Sequence, residues 1–340
     1  GVRTRRGDVR IETDHMLKRV LALRELGILV VLAAEVALFA VLCRQPGQAN
    51  PFLQPEALLN VVRDSAVLSL AAIGTTVIIV AGGIDLSVGS VLALSAVVMA
   101  SLMEAGHTLW AVPAGLLVNS LCGLVTATVI NWAKLPPFIV TLGMMSVARG
   151  TAFLVTGGRT VTLPDSGFTR AVGGNIMLGS VPVPVPVLIL LVVAAAGAAG
   201  LTRSSLGRAV TALGGNEEAA RLSGLPIARL KRVVYGLGGL MAAVAGGVFV
   251  AYYGTGQSTA ATGWELDAIA AAVLGGASLN GGRGSVVGTC VGAVIFRVLQ
   301  RGLTMLGASD YSQVITGIVV VAVVVLDQMA TRRASRSRGG

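Results

Sequence analysis

The chain has 340 residues, of which 54% are hydrophobic and only 12% charged, with a formal net charge of +10. A soluble globular domain carries about 25% charged residues, so this composition excludes one and leaves a polytopic membrane protein. The excess of basic residues does not point to nucleic acid, because it is gathered into segments between and outside the apolar runs, as the positive-inside rule expects of cytoplasmic loops.

In chain order, residues 1–24 hold seven Lys and Arg (Arg3, Arg5, Arg6, Arg10, Lys18, Arg19, Arg24) and read as a basic, disordered cytoplasmic leader, with Met16 as an alternative start. The first apolar run, 26–43, is long and lacks a small-x-small exit, so it reads as a span and not as a cleavable signal. A span needs about 20 apolar residues, which marks 109–130, 137–156, 183–201, 233–253 and 312–326 as further crossings. Two longer regions, 64–103 and 265–303, are interrupted by glycine clusters, and each reads as two segments with a bend between them. The expectation is therefore an all-α, polytopic transmembrane helix bundle of about ten spans with two glycine-broken helix pairs.

Six spans precede the stretch 203–232, which carries six basic residues, and four follow it. An even count puts the N-terminus, this loop and the C-terminus on one side with most of the Lys and Arg. The membrane-spanning body is thus 25–328, with 203–232 as a cytoplasmic loop and 329–340 as a basic cytoplasmic tail (Arg332, Arg333, Arg336, Arg338). The outside loop 157–182, rich in Gly and Pro, reads as irregular. Cys43, Cys122 and Cys290 fall inside apolar runs without metal spacing and read as small buried hydrophobes. His15 and His107 are too isolated to form a site, and no metal site is expected.

The chemistry lies in the two breaks and the loop. In "VIIVAGGIDLSVGSVLAL" (77–94) one carboxylate, Asp85, interrupts an apolar run, where an aspartate at a helix centre costs roughly 2.5–3.5 kcal/mol. Non-helical backbone at membrane depth survives only where protein or a wet cavity satisfies it. Gly82 and Gly83 let the chain leave helical geometry, and Asp85 or Ser87 can cap the next helix or face a polar, hydroxyl-rich solute. "GGIDLSVGSV" (82–91) and "GGASLNGGRGSV" (275–286) share a double glycine, a polar residue, a Leu and Gly-Ser-Val, as weak transporter repeats do. The corresponding polar break is then Gly275, Gly276, Ser278 and Asn280. Gly284, Gly288 and Gly292, four apart, would line one helix face and let another helix approach closely. "GRAVTALGGNEEAARLSGLPIARLKRV" (207–233) is charged and amphipathic, with a helix break at Gly224-Leu225-Pro226. In it Glu217, Arg221 and Gly224 fall along one helix side, and Glu218 adds a second carboxylate.

"EAARLSG" (218–224) resembles the EAA-x-x-x-G loop of membrane subunits of ATP-binding cassette importers. Together with "GGIDLSVGS", "PPFIVTLGMMSVARG" (136–150) and "ELDAIAAAVLGGASLNGGRGSVVGT" (265–289), it is similar to the ribose/xylose-type sugar permease family, from about residue 60 to 327. Trp132 in "INWAK" (130–134) stands where that family commonly has glycine. The resemblance implies a subunit of the bacterial cytoplasmic (inner) membrane that forms the path for a monosaccharide: a pentose, a deoxyhexose or a related sugar. It implies as partners an ATPase that carries ATP-Mg, a second permease copy, an extracytoplasmic sugar-binding protein and membrane lipid. In that setting Glu217, Glu218, Arg221 and Gly224 are the ATPase-coupling residues, with Gly224 leaving room for a close partner. The chain has no G-x-x-x-x-G-K-[ST] phosphate loop, so it holds no nucleotide cofactor itself and is a transport subunit, not an enzyme. Two rivals are an ion-coupled secondary sugar transporter, which needs no docking loop, and an intramembrane aspartyl protease, which needs two carboxylates close enough to share a proton among Asp64, Asp85, Asp267 and Asp310.

Overall fold

The computed structural model describes residues 27–44, 49–163 and 166–336, so the expected leader 1–24 and the last four residues lie outside the described residues. The helices are α1 (Gly27–Leu42), α2 (Pro55–Val80), α3 (Val88–Glu104), α4 (Thr108–Ala133), α5 (Pro137–Thr156), α6 (Gly167–Gly173), α7 (Val185–Arg203), α8 (Ser205–Gly215), α9 (Glu217–Leu222), α10 (Ile227–Tyr253), α11 (Trp264–Leu274), α12 (Val286–Met305) and α13 (Ser312–Arg336). Short 3-10 turns precede α2 and α13. Six of these helices (α2, α4, α5, α7, α10 and α12) are long and apolar enough to cross a membrane, and α1 and α3 are shorter apolar helices. The fold is that of an all-α polytopic membrane protein.

The ends of these helices follow local chemistry. α2 begins with Pro55 in its first turn, where a missing N–H costs nothing, and Glu56 beside it suits the positive end of the dipole. It ends where Gly82 takes φ 81°, with Gly82 N–H donating to Ile79 O and Gly83 N–H to Ile78 O, both at 2.9 Å. That paired bonding is a Schellman cap, which needs a residue tolerant of left-handed backbone. α11 ends the same way, with Gly276 at φ 109° and the Gly276 and Ala277 amides returning to Val273 and Ala272. α10 starts six residues before the expected 233, because the amphipathic end of the loop continues as helix.

α2 is the hub. It packs on α10, α12, α11 and α7 and is buried along most of its length, whereas α4, α5 and α7 form the rim. Rim residues such as Leu117, Val147, Leu154, Leu191 and Val192 point outward, an apolar surface suited to hydrocarbon. The loop 157–182, expected to be irregular, is more ordered than its composition suggested. It carries α6, the strand β1 (Val161–Thr162) and the hairpin β2 (Asn175–Leu178) with β3 (Val181–Pro184), and β1 pairs antiparallel with β4 (Thr255–Gly256) after α10. These elements cap one end of the bundle, and residues 203–226 with α8 and α9 close the other.

Close backbone contact joins the broken pairs. Gly288 lies against Gly275 and Gly292 against Ala271, so α12 rests directly on the backbone of α11. Gly284 is not on that helix face: it precedes α12 and lies against Val80 and Thr76 of α2. The hydroxyls of Thr76 and Thr289, 2.7 Å apart, tie α2 to α12. A Cβ on Gly288 would stand 1.9 Å from the Gly275 carbonyl oxygen, whereas one on Gly143 in α5 meets nothing within 4 Å. Gly288→Val should therefore cost about 1–3 kcal/mol by overpacking, read as a lower melting temperature in detergent, with Gly143→Val as the control that stays near wild type. Equal shifts in the two variants would show that the α11–α12 contact is not the constraint.

Candidate functional site

Three backbone segments meet at the loop end of the bundle. The Val80 carbonyl, freed by the end of α2, accepts from the Gly282 amide at 2.8 Å. Gly214, near the end of α8, is wedged beside this bond: a Cβ there would lie 1.8 Å from Val80 O and 2.7 Å from Gly282 N. Gly281 (φ 78°) and Gly282 (φ 73°) take the left-handed conformation that this packing demands, and both lie against Gly214 and Gly215. The two glycine breaks are thus in contact with each other and with the loop. Gly275, Gly276 and Ser278 lead into this junction: Ser278 accepts from Gly281 N–H and donates its own amide to Arg283 O. Asn280 is exposed on the junction's outer side and does not line an interior space.

The similarity between the two breaks does not carry over as equal structure. Gly-Ser-Val lies inside α3 at Gly89-Ser90-Val91 but supplies the N-cap of α12 at Ser285, whose hydroxyl accepts from Gly288 N–H at 3.1 Å.

Asp85 is 8% exposed. Its Oδ1 accepts from both the Ser87 amide (2.8 Å) and the Ser87 hydroxyl (2.6 Å), which fixes the turn into α3. Beside it is a small cavity lined by Asp85, Ser87, Thr126 and Tyr235 together with Gly123, Gly238 and Gly239, with room for about one water. Gly83 has no side chain because the Tyr235 hydroxyl occupies that space, 2.4 Å from where a Cβ would be. Tyr235 lies eight residues into α10, about 12 Å along the axis at 1.5 Å per residue.

The loop helix α9 is held by its ends. Asn216 Oδ1 accepts from Ala219 N–H at 2.9 Å, and the amides of Gly224 and Leu225 return to Arg221 and Ala220 as a Schellman cap. Arg221 folds back onto Glu217 (3.2 Å) and Glu218 (3.3 Å), and Lys231 of α10 reaches Glu217 at 2.9 Å. Such exposed pairs contribute about 0–1 kcal/mol each. Gly224 does not lie along the α9 face with Glu217 and Arg221. It is past the helix end at φ 81° with nothing within 4 Å of a Cβ, so its constraint within this chain is backbone conformation and not space. Leu222 is the side chain that projects from this helix, 81% exposed.

The far end of the bundle holds a polar cluster that sequence reasoning missed. Arg297 of α12 is 8% exposed and Asp267 of α11 5% exposed. Gln300 joins them: its amide donates to Asp267 Oδ2 at 3.0 Å, and Arg297 donates to its carbonyl. The Arg297 guanidinium lies 4.0 Å above the Trp264 ring, and Tyr253 donates to Asp64 at 2.5 Å. An arginine inside an apolar stretch is the sequence signal for such a site. Asp85 is bonded to Ser87 near one end, Asp64 and Asp267 are bonded to Tyr253 and Gln300 near the other, and Asp310 is exposed, so no two of the four share a hydrogen bond as a protease dyad needs.

The family model described as "Branched-chain amino acid transport system / permease component" matches residues 57–324. The chain is 41% identical over 276 residues to the ribose import permease protein RbsC of Escherichia coli K12, covering 79% of this chain and 84% of that one. It is 38% identical to RbsC of Bacillus subtilis, covering 82% and 87%. The chain belongs to the ribose-type permease family of ATP-binding cassette importers. The autoinducer 2 import permease LsrD of Klebsiella pneumoniae is 34% identical, covering 91% of the permease and 92% of LsrD. No solved structure matches. As a member of this family the permease is a multi-pass inner-membrane transport subunit, and hydrolysis of ATP belongs to a separate ATPase.

Two outcomes test the local geometry of the permease. Asp85→Asn keeps an oxygen that can accept from Ser87 and should melt near wild type. Asp85→Ala leaves the buried Ser87 amide unsatisfied and should cost about 1–3 kcal/mol; identical melting of the two variants would remove this role. At Gly224, Ala and Leu should be equally unfavourable, by about 1–2 kcal/mol for left-handed backbone, and Asn less so. Amide hydrogen exchange over residues 219–225 measures it, and a much larger effect of Leu than of Ala in the isolated permease would instead indicate crowding.

Proposed function

We propose that this permease forms the transmembrane path for a monosaccharide (a pentose, a deoxyhexose or a related sugar) released by an extracytoplasmic binding protein, with transport driven by ATP-Mg on a partner ATPase. In this reading the chain crosses the membrane about ten times, with both termini and residues 203–232 in the cytoplasm, and works beside a second permease copy, identical or homologous. The ten crossings count α11 with its break as one short crossing and α1, α3 and α13 as full ones.

The observation that carries the reading is the seating of Gly214 against the hydrogen bond between Val80 and Gly282. A displacement of α9 by the ATPase passes through Asn216 into α8 and so bears directly on both broken helices. Glu217, Glu218, Arg221 and the exposed Leu222 form the docking side, and Gly224 supplies the sharp return to α10. Gly82, Gly83, Asp85 and Ser87 form the polar break beside the path, with Gly275, Gly276 and Ser278 as its counterpart and Asn280 on the outer side of the junction. Gly284, Gly288 and Gly292 hold the two pairs close. The ribose and autoinducer 2 substrates in the names of the relatives support a small polyhydroxylated substrate.

The test is reconstitution into proteoliposomes with the ATPase and binding protein of the same operon. Uptake of the sugar should require ATP and both partners. Gly214→Val should reduce uptake at least tenfold while the ATPase still copurifies, because the side chain disrupts the junction and not the docking side. Accumulation driven by a proton or sodium gradient without the ATPase would establish the ion-coupled alternative instead.

A further inference from the structure

Among the described residues, buried polar atoms without a hydrogen-bond partner include Nε and one terminal nitrogen (NH2) of Arg297, Nε of Arg63, Nε of Arg301 and Oε2 of Glu265. All lie in the half of the bundle away from residues 203–226. An unpaired buried donor costs about 1–3 kcal/mol, and more when charged, so four unpaired guanidinium donors in one region call for an acceptor that enters from outside. The cluster borders the surface: Arg63, Asp64 and Arg301 nearby are half-buried, and Tyr253 at its edge is 42% exposed.

The charge pattern selects the ligand chemistry. A simple anion only accepts hydrogen bonds, and here it would also meet the Asp64 and Asp267 carboxylates. A polyol both accepts from guanidinium N–H groups and donates to carboxylates, and the cluster offers the two side by side. Arginine's planar fork suits two adjacent hydroxyl oxygens, as it suits other two-oxygen acceptors. We propose that Arg297, with Arg301 at its rim and Asp64 and Asp267 as acceptors, forms a receiving site for the adjacent hydroxyls of a monosaccharide at the end of the permease that faces its binding protein. This site rests on the sugar-import reading and gives the permease its own contact with the substrate.

Trp264, beneath Arg297, is the natural reporter. The chain has three tryptophans, and Trp110 and Trp132 are exposed on the rim helix α4, 66% and 83%. In the Trp110→Phe/Trp132→Phe permease, in lipid nanodiscs, Trp264 emission is followed during titration with D-ribose, D-xylose, L-rhamnose and D-galactose into the millimolar range. At least one sugar should give a saturable change, with its midpoint raised roughly tenfold in Arg297→Lys, which keeps the charge and loses the fork. Arg301→Lys, at the rim, should raise it less and guards against misfolding of the buried variant. No saturable change with any of the four sugars, or one unaltered in both variants, overturns the site. ATP-driven uptake by the same tryptophan-reduced permease separates the outcomes: uptake without a Trp264 response removes this inference alone, and a Trp264 response without ATP-driven uptake removes the import reading.

Discussion

The arrangement depends on one requirement: a helix broken inside a membrane must find partners for the backbone groups that the break sets free. Here the two breaks meet that requirement for each other. The Val80 carbonyl at the end of α2 receives the Gly282 amide from the break before α12. A bond between two main chains needs them to approach without side chains between them, and that explains why Gly214, Gly281, Gly282 and Gly284 cluster around it. Replacing water by this mutual satisfaction joins the N-terminal and C-terminal halves of the bundle through backbone contact.

Main-chain packing also bears on how the coupling proposed above would act. Side chains have rotamers that absorb a displacement of an ångström, whereas backbone held against backbone does not. α8 ends in this contact at Gly214 and Gly215 and passes through Asn216 straight into α9. α9, only six residues long, keeps its shape because both ends are capped and Arg221 is anchored to Glu217 and Glu218. A short rigid element that ends in a glycine wedge is a lever with little slack. Tyr235, about 12 Å further along α10, brings the same helix that follows the loop against Gly83 and Asp85, so the loop reaches the first break by two routes.

Much of this was legible in the residues, for identifiable reasons. Apolar length located the helices, and α5 has the expected bounds because Pro137 and Gly157 mark its ends chemically. Glycine pairs located the breaks. What the sequence did not contain was the environment of each glycine. Gly224 reads as room for a partner, and within this chain its φ of 81° makes it a helix cap; Gly284 reads as the first residue of a helix stripe and lies before the helix. Spacing alone cannot separate a glycine chosen for conformation from one chosen for proximity. The Arg297–Gln300–Asp267 cluster was missed because its members come from two helices 30 residues apart, and each looks like an isolated charge in an apolar run. Asp64 and Asp267 were weighed only as members of a possible carboxylate pair among four aspartates, whereas their actual partners are Tyr253 and Gln300.

The two ends of the bundle are therefore closed by different means, and that difference has a mechanical consequence. At the loop end, closure is by backbone at glycine positions, so opening it requires α2, α8 and the segment before α12 to separate as bodies. At the far end, besides the β1–β4 pairing, side chains join α2 to α10 through Asp64 and Tyr253, and α11 to α12 through Asp267, Gln300 and Arg297. Those groups can exchange one partner for another without moving a helix, and a hydroxyl-bearing solute presents the same donors and acceptors. In the proposed import reading, an end whose side-chain bonds yield to a solute and an end that yields to the displacement of a lever are the two properties that alternating access needs.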